Sequence, residues 1–256
     1  MMTIKEINEL FKNTKDENLE KLCNQFCEDN RTGVQKILAS AEGRIKKFEK
    51  ELLEYEARLA LDESFHNKKR ILVGIDEVGR GPLAGPVVAC AVILPYDVDL
   101  FGIKDSKKLS KEQREIFYEK IMEQAISVGI GLVEHDEIDK INILQATFKA
   151  MREALLDLKM DYDVIAVDGN LKIEYITCEQ HTITKGDDKS VVIAAASIVA
   201  KVTRDRIMNK YSEEFPQYDW NSNKGYGSQK HYDAIKEHGI TPLHRKSFLT
   251  KIVVHW

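Results

Sequence analysis

All five prolines lie at position 82 or later, and before Gly74 only Gly33 and Gly43 interrupt the chain. Proline and glycine are the strongest local breakers of helix and strand, so the first seventy or so residues are free to form long helices while the remainder is punctuated into shorter elements. Within the first stretch Leu38, Ala41, Ile45, Phe48, Leu52, Tyr55 and Leu59 recur at alternating three- and four-residue steps, the seam of an amphipathic helix about 25 residues long. Such a helix is expected to pack on its neighbours, because a coiled-coil dimer calls for more than about three heptads. A monomer is the simplest assembly. Cys23 and Cys27, one helical turn apart, are expected on another buried helical face.

At Ile71 the period changes. Ile71–Ile75 is a short β-branched run, Pro86–Leu94 a second closed by Pro95, and Ser127–Val133 and Val164–Val167 supply two more. The last has the continuous apolar character of a strand buried on both faces. Ser110 and Gln113 have capping-box spacing and open a helix to about Ala125. Leu144, Thr147, Phe148, Met151, Leu155 and Leu158 form the stripe of another, and a further helix runs from about Ser190 to Tyr211. Strands alternating with helices indicate an α/β layer fold. The expected organisation is a helical N-terminal extension over 1–69, a sheet-containing domain over 70–212, and a helical C-terminal part of that domain over 213–256.

Composition narrows the class. With 43% hydrophobic and 31% charged residues the chain is globular, and no stretch approaches the roughly 20 apolar residues of a membrane helix. The start lacks the apolar core of a signal peptide, so a cytoplasmic protein without membrane association is expected. Four cysteines, at 23, 27, 90 and 178, offer neither a disulfide framework nor zinc-ligand spacing, and are expected as reduced thiols. The net charge of −4 argues weakly against a broad basic face, yet residues 221–256 hold six Lys/Arg against two acids.

The chemistry concentrates in Gly74-Ile75-Asp76-Glu77-Val78-Gly79-Arg80-Gly81-Pro82-Leu83-Ala84-Gly85-Pro86, where two adjacent carboxylates end a hydrophobic strand and meet a glycine-rich turn. Neighbouring side chains on a regular strand point to opposite faces, so Asp76 and Glu77 are expected to share a site through an end or bend of the strand. Asp168 closes a second buried strand. Ligand sites in open α/β sheets form outside the carboxyl ends of strands, which suggests that Asp76 and Asp168 converge. Oxygen donors without histidine or thiolate suit Mg²⁺ or Mn²⁺. Lys185-Gly186-Asp187-Asp188 is a third acidic cluster, whose acids by themselves read better as a helix N-cap. The glycine turn misses the dinucleotide spacing, and no G-x-x-x-x-G-K-[ST] occurs. A glycine turn beside acids suits a phosphodiester instead: its backbone can approach sugar hydroxyls, and Arg80 can meet a phosphate.

Asp76-Glu77-Val78-Gly79-Arg80-Gly81, with Asp168-Gly169, Lys185-Gly186-Asp187, the run from Ala194 to Asp205, and Lys224-Gly225-Tyr226-Gly227, resembles bacterial ribonuclease HII over roughly residues 70 to 250. The resemblance implies an RNase H-like mixed sheet flanked by helices. It implies a metal-dependent endonuclease, with Mn²⁺ or Mg²⁺, acting on the RNA strand of RNA–DNA hybrids and on DNA duplexes containing single ribonucleotides. The family's four acids fall on Asp76, Glu77, Asp168 and Asp187, which displaces the N-cap reading of Asp187. Gly79, Arg80 and Gly81 match the turn that meets the ribose 2′-hydroxyl, Tyr226 the aromatic that stacks on the deoxyribose after the junction, and Ser106 and Lys107 a segment that holds backbone phosphate. Val78 departs from the family's usual alanine. Arg80, where ribonuclease HIII usually carries lysine, favours HII, and the helical first seventy or so residues resemble an extension of some Gram-positive members.

Cleavage leaving 5′-phosphate and 3′-hydroxyl ends is the implied reaction. Lys/Arg near Arg80, Lys201, Lys224, Arg245 and Lys246 are expected to carry salt-sensitive binding. His231, His238 and His244 lack metal-ligand spacing and read as structural or phosphate-facing, and Trp220 and Trp256 as packing residues. The alternatives are a hybrid-binding module without catalysis, which has no use for four phosphate-repelling acids, and a phosphate-loop NTPase, whose motif is missing.

Overall fold

The computed structural model describes residues 2–249, so Lys251, His255 and the expected packing residue Trp256 lie outside the described residues. The chain divides into two compact units, Met1–Ala57 and Arg58–Trp256.

The first unit is helical. Helix α1 (Ile4–Asn13) opens on a capping box in which the Thr3 hydroxyl accepts from Glu6 N while Glu6 Oε2 accepts from Thr3 N at 2.7 Å. Helices α2 (Leu19–Phe26) and α3 (Thr32–His66) follow. Their core is Ile7, Phe11, Leu19, Leu22, Val34, Leu38 and Ala41. Arg44 locks the α1–α2 connection by donating to the carbonyls of Phe11 at 2.9 Å and Thr14 at 3.0 Å. At 35 residues α3 exceeds the expected length, because a lone glycine costs only about 1 kcal/mol and does not stop a helix. Its seam is less buried than the spacing suggests: Leu38 and Ala41 are buried, but Leu52 is exposed. The expectation for the cysteines is also corrected. Cys27 lies past the end of α2, exposed, and Cys23 is half-buried, because α2 covers its core with Leu19 and Leu22.

The second unit is built on a five-stranded sheet in the order β3-β2-β1-β4-β5, formed by β1 (Leu72–Val78), β2 (Val87–Ile93), β3 (Ser127–Val133), β4 (Val164–Asp168) and β5 (Glu179–Ile183). The first three strands pair antiparallel, while β1–β4 and β4–β5 pair parallel, so the sheet is mixed. Strand β5 was not legible in the sequence. It is an edge strand with one buried side chain, Gln180, and carries no apolar run.

Helices cover both faces. On one, α6 (Ile143–Asp157) packs Phe148, Met151 and Leu155 against Val73, Ile75, Ala89 and Ile165. Before it stands α5 (His135–Ile141), short, polar and unanticipated, separated from α6 by Asn142, whose Oδ1 caps α6 by accepting from Leu144 N and Gln145 N. On the other face lies α8 (Val191–Glu214), buried from Val191 to Ala200, with α4 (Lys111–Gln124) beside it and the single turn α7 (Gly186–Lys189) before it. The start of α8 is held twice: Ser190 Oγ accepts from Ile193 N, and buried Asp62 accepts from Val191 N at 2.9 Å and Val192 N at 3.1 Å.

The chain closes with α9 (Trp220–Asn223), α10 (Gln229–His238) and α11 (Lys246–Leu249). Trp220, Ile235 and Leu249 join Met208 of α8 and Leu83 and Ala84 of the loop after β1 in one cluster. The basic C-terminal part thereby holds the glycine turn that follows the acidic strand.

Candidate metal and nucleic-acid site

Strands β1 and β4 run parallel with Ile75 opposite Val167, and one step further along the same register stand Asp76 and Asp168. Alternation puts both on the α8 face, with Leu72, Val164 and Ala166, which pack on Val192 and Ile193. Asp76 is 5% exposed, accepts from the backbone of Glu77 at 2.7 Å and is hydrogen-bonded by Ser197 of α8. Asp168 Oδ1 accepts from Gly186 N at 2.6 Å, which brings buried Asp187, the next residue, to the same end of the sheet.

Of the two arrangements expected at Glu77, an end or a bend, the strand shows an end one residue later and no bend. Strand β1 continues to Val78, with Glu77 paired opposite Ala89. The charge of Asp168 reaches Glu77, and Arg80 donates to Glu77 Oε1 at 3.3 Å.

Electrostatics show what this arrangement favours. Burial pushes the Asp76 carboxyl well above its usual range, and the charges of Glu77 and Asp168 push it further. Burial also raises Glu77, with Arg80 opposing and Asp168 adding to the rise. Asp187 is raised to about 6 by burial, then by Asp105 and Asp168, against Lys107. Acids crowded out of water and facing one another favour a compact positive charge among them. Carboxylate oxygens without imidazole or thiolate are the donor set of Mg²⁺ or Mn²⁺, so the residues fit a divalent cation.

Asp105 was missed as a member of this group. One oxygen each of Asp105, Asp187 and Asp188 lie within 4.8 Å of one another. In sequence Asp105 looks like a turn cap, and it is one, accepting from Lys107 N at 2.9 Å. Asp188 pairs with Lys108 at 2.6 Å, whereas Asp187 feels the charge of Asp168.

Ser106 is buried, its hydroxyl 3.1 Å from that of Ser197, while Lys107 is exposed with Nζ 3.8 Å from Asp187 Oδ2. Arg80 and Gly81 are exposed and Gly79 is buried. A Cβ on Gly81 would lie 3.6 Å from the Tyr226 ring, which is 43% exposed, so the turn and the aromatic form one surface. Beneath them Arg204 lies under the Tyr226 ring, 5.9 Å from its centroid.

The expected basic surface needs one correction. Arg245 is fully buried and donates to the carbonyls of Gly79, Arg80 and Gly85, because the C-terminal part folds back over the turn; it presents nothing to solvent. Lys246 is exposed. Lys201 pairs with Asp205 at 2.7 Å, and Lys224 bonds Asn209 and Asn221. Both line a cavity of about 290 Å³ together with Lys111 and Arg114.

Two histidines are structural. His231 and His244 are buried with their Nε2 atoms 3.1 Å apart, Trp220 Nε1 donates to His231 Nε2, and His231 Nδ1 lies 2.9 Å from the Tyr226 carbonyl. His238 is on the surface.

Comparison with known proteins identifies the family. The family described as Ribonuclease HII matches residues 73–251, and the Ribonuclease HII N-terminal domain matches residues 3–66. Ribonuclease HII of Acetivibrio thermocellus is 48% identical over 99% of this chain and 99% of its own. That of Lactobacillus johnsonii is 46% identical over 96% and 97%. Among solved structures, ribonuclease H2 of Pyrococcus horikoshii superposes with a TM-score of 0.59 at 28% identity, over 69% of this chain and 93% of that one. Bst-RNase HIII in complex with Mn²⁺ shares the fold, with a TM-score of 0.56 at 18% identity over 70% of this chain and 64% of that one.

Proposed function

Because the chain belongs to the ribonuclease HII family and is a ribonuclease H of type HII, we propose that it cuts the RNA strand of RNA–DNA hybrids and nicks DNA duplexes 5′ of single embedded ribonucleotides. The cut leaves 5′-phosphate and 3′-hydroxyl ends. The enzyme works as a monomer in the cytoplasm.

The observation that carries this reading is the level placement of Asp76 and Asp168 on adjacent parallel strands, with Asp187 drawn beside them through Gly186. Asp76, Asp168, Glu77 and Asp187 would hold divalent cations, Mn²⁺ or Mg²⁺, which would supply positive charge to acidify the attacking water and stabilise the leaving 3′-oxygen. The protein's own groups do the rest. Ser197 and the Glu77 amide orient Asp76, and the Gly186 amide orients Asp168, so neither carboxylate must reorganise during the reaction.

The Gly79–Gly81 turn meets the 2′-hydroxyl, the group that distinguishes RNA from DNA. Tyr226, adjacent to Gly81 and exposed, stacks on the following deoxyribose. Lys107 meets the backbone phosphate, while buried Ser106 bonds Ser197 of α8 and so fixes the segment that carries Lys107. Lys111, Arg114, Lys201 and Lys224, gathered at one cavity, attract the phosphates beyond, which makes binding salt-sensitive despite the acidic total.

The test is a labelled DNA duplex carrying one ribonucleotide, incubated with the protein and Mn²⁺ or Mg²⁺, beside an all-DNA duplex and an EDTA control. Metal-dependent nicking 5′ of the ribonucleotide alone is expected. Tight binding with no nick under any metal would instead identify a hybrid-binding module.

A further inference from the structure

Arg204 and Arg245 are fully buried, and neither forms an ion pair among the described residues. A buried guanidinium without a carboxylate is costly unless its N–H groups are satisfied. Here backbone carbonyls satisfy them. Arg204 donates to Pro86 O at 2.8 Å, Lys224 O at 2.9 Å and Ala84 O at 3.1 Å. Arg245 donates to Gly79 O at 2.7 Å, Gly85 O at 2.9 Å and Arg80 O at 3.1 Å. Five of these six carbonyls belong to the loop between β1 and β2.

The direction of those carbonyls fixes the other side of the loop. In a trans peptide the C=O of one residue and the N–H of the next point in opposite directions. With the Gly79 and Arg80 carbonyls turned inward onto Arg245, the N–H groups of Arg80 and Gly81 turn outward, and neither donates to a backbone partner among the described residues. Gly79 has φ +93, and a Cβ there would strike Arg204 Nε, so the turn is fitted to the guanidinium. Arg204 also holds Lys224 O, two residues before Tyr226, so one side chain sets both the turn and the segment carrying the aromatic.

We infer that Arg204 and Arg245 are positioning residues for sugar discrimination: by drawing the loop carbonyls inward they aim the Arg80 and Gly81 amides, beside Tyr226, at the ribose 2′-hydroxyl. The inference rests on the reading of the Gly79–Gly81 turn proposed above. Arginine is required because its planar fork spans carbonyls of separate residues, whereas a lysine ammonium concentrates its donors at one point.

The experiment measures single-turnover cleavage by the full chain of two duplexes differing at one sugar, ribose against 2′-deoxy-2′-fluororibose, for wild type, R245K, R204K and I235A. Ile235 lies in the neighbouring core and takes part in none of the hydrogen bonds made by Arg204 or Arg245, so I235A reports the effect of lost stability. Misplacing the amides is expected to lower the rate on the ribose duplex about ten- to a hundredfold in R245K and R204K. The preference for ribose over the fluoro sugar shrinks with it, while KM for the duplex changes less than about threefold because the phosphate contacts remain. I235A keeps the wild-type preference. Wild-type preference in both arginine variants, or the same loss in I235A, overturns the inference while leaving the turn's role intact. Wild-type enzyme that cuts both duplexes alike overturns the turn's role, and the inference with it. If R245K does not fold, R204K, which leaves the Arg245 bonds in place, carries the same test.

Discussion

Asp168 Oδ1 accepts the backbone N–H of Gly186 at 2.6 Å, and this bond joins the end of β4 to the turn that presents Asp187. A Cβ on Gly186 would lie 2.6 Å from Ile193 Cδ1 and 3.2 Å from Asp168 Oδ1 itself. Gly186→Ala is therefore expected to push the turn away from the sheet, lowering cleavage about tenfold or more and stability by about 1–3 kcal/mol. Metal titration should show half-activation at higher Mn²⁺ in the variant; unchanged metal affinity and rate would contradict this placement of Asp187.

Asp76→Asn removes a buried charge that Glu77 and Asp168 oppose. Without metal the variant is expected to melt about 2–4 °C higher, the shift that goes with about 1 kcal/mol in a domain of this size. Cleavage should fall about a thousandfold or more, as expected when a principal cation ligand is lost. Thermal unfolding with and without Mn²⁺ checks both parts, since Mn²⁺ should stabilise the wild type by mass action and the variant far less.

Asp62 is buried and accepts two amides at the start of α8, and burial raises its carboxyl to about 6. Asp62→Ala leaves those amides without their partner and is expected to destabilise by about 1–3 kcal/mol. Asp62→Asn keeps an acceptor and removes the charge, so at pH 8 it should cost less than the alanine variant. Urea unfolding of the pair at pH 8 decides, and equal losses would show that the charge, not the acceptor, matters.

His244 is lowered from 6.5 to about 4, first by burial and then by His231. The unfolded chain therefore holds the extra proton between these values, and stability falls as pH drops from about 6.5 towards 4, by up to about 3 kcal/mol. His244→Gln should flatten the dependence in that window. Urea midpoints from pH 4.5 to 7.5 measure it, and an identical slope in the variant would assign the loss elsewhere.

Tyr226 offers its ring to solvent while its carbonyl faces His231. Tyr226→Phe should keep most of the activity and Tyr226→Ala should lose about ten- to a hundredfold, because stacking on a sugar or base uses the face of the ring and not the hydroxyl. A tyrosine hydroxyl that mattered would bring the phenylalanine variant down to the level of the alanine variant.

Much of this architecture is legible in the residues. Proline-free spacing marks the helices of the first unit, β-branched runs mark β1 to β4, and Ser110 with Gln113 marks the start of α4. These features are local: each is dictated by backbone sterics, capping or the alternation of one element. The acids at the ends of β1 and β4 were legible for the same reason, since a charge that stops an apolar strand is visible in one dimension. Strand β5 and helix α5 were not, because an edge strand and a short polar helix take their stability from neighbours and carry little apolar pattern of their own.

What tertiary structure alone decided is the convergence and the support. The parallel register sets Asp76 level with Asp168, and no spacing in the sequence fixes which strands are adjacent. Glu77 lies within electrostatic reach of Asp168, and Asp105 joins Asp187 across a long separation in sequence. Arg245 reads in sequence as one more surface cation in a basic tail. Folding buries it beneath the glycine turn, where it and Arg204 together donate six hydrogen bonds to backbone carbonyls. The sequence by itself determined the elements and the kinds of chemistry; packing decided which groups meet, because burial and charge depend on what lies nearby in space and not along the chain.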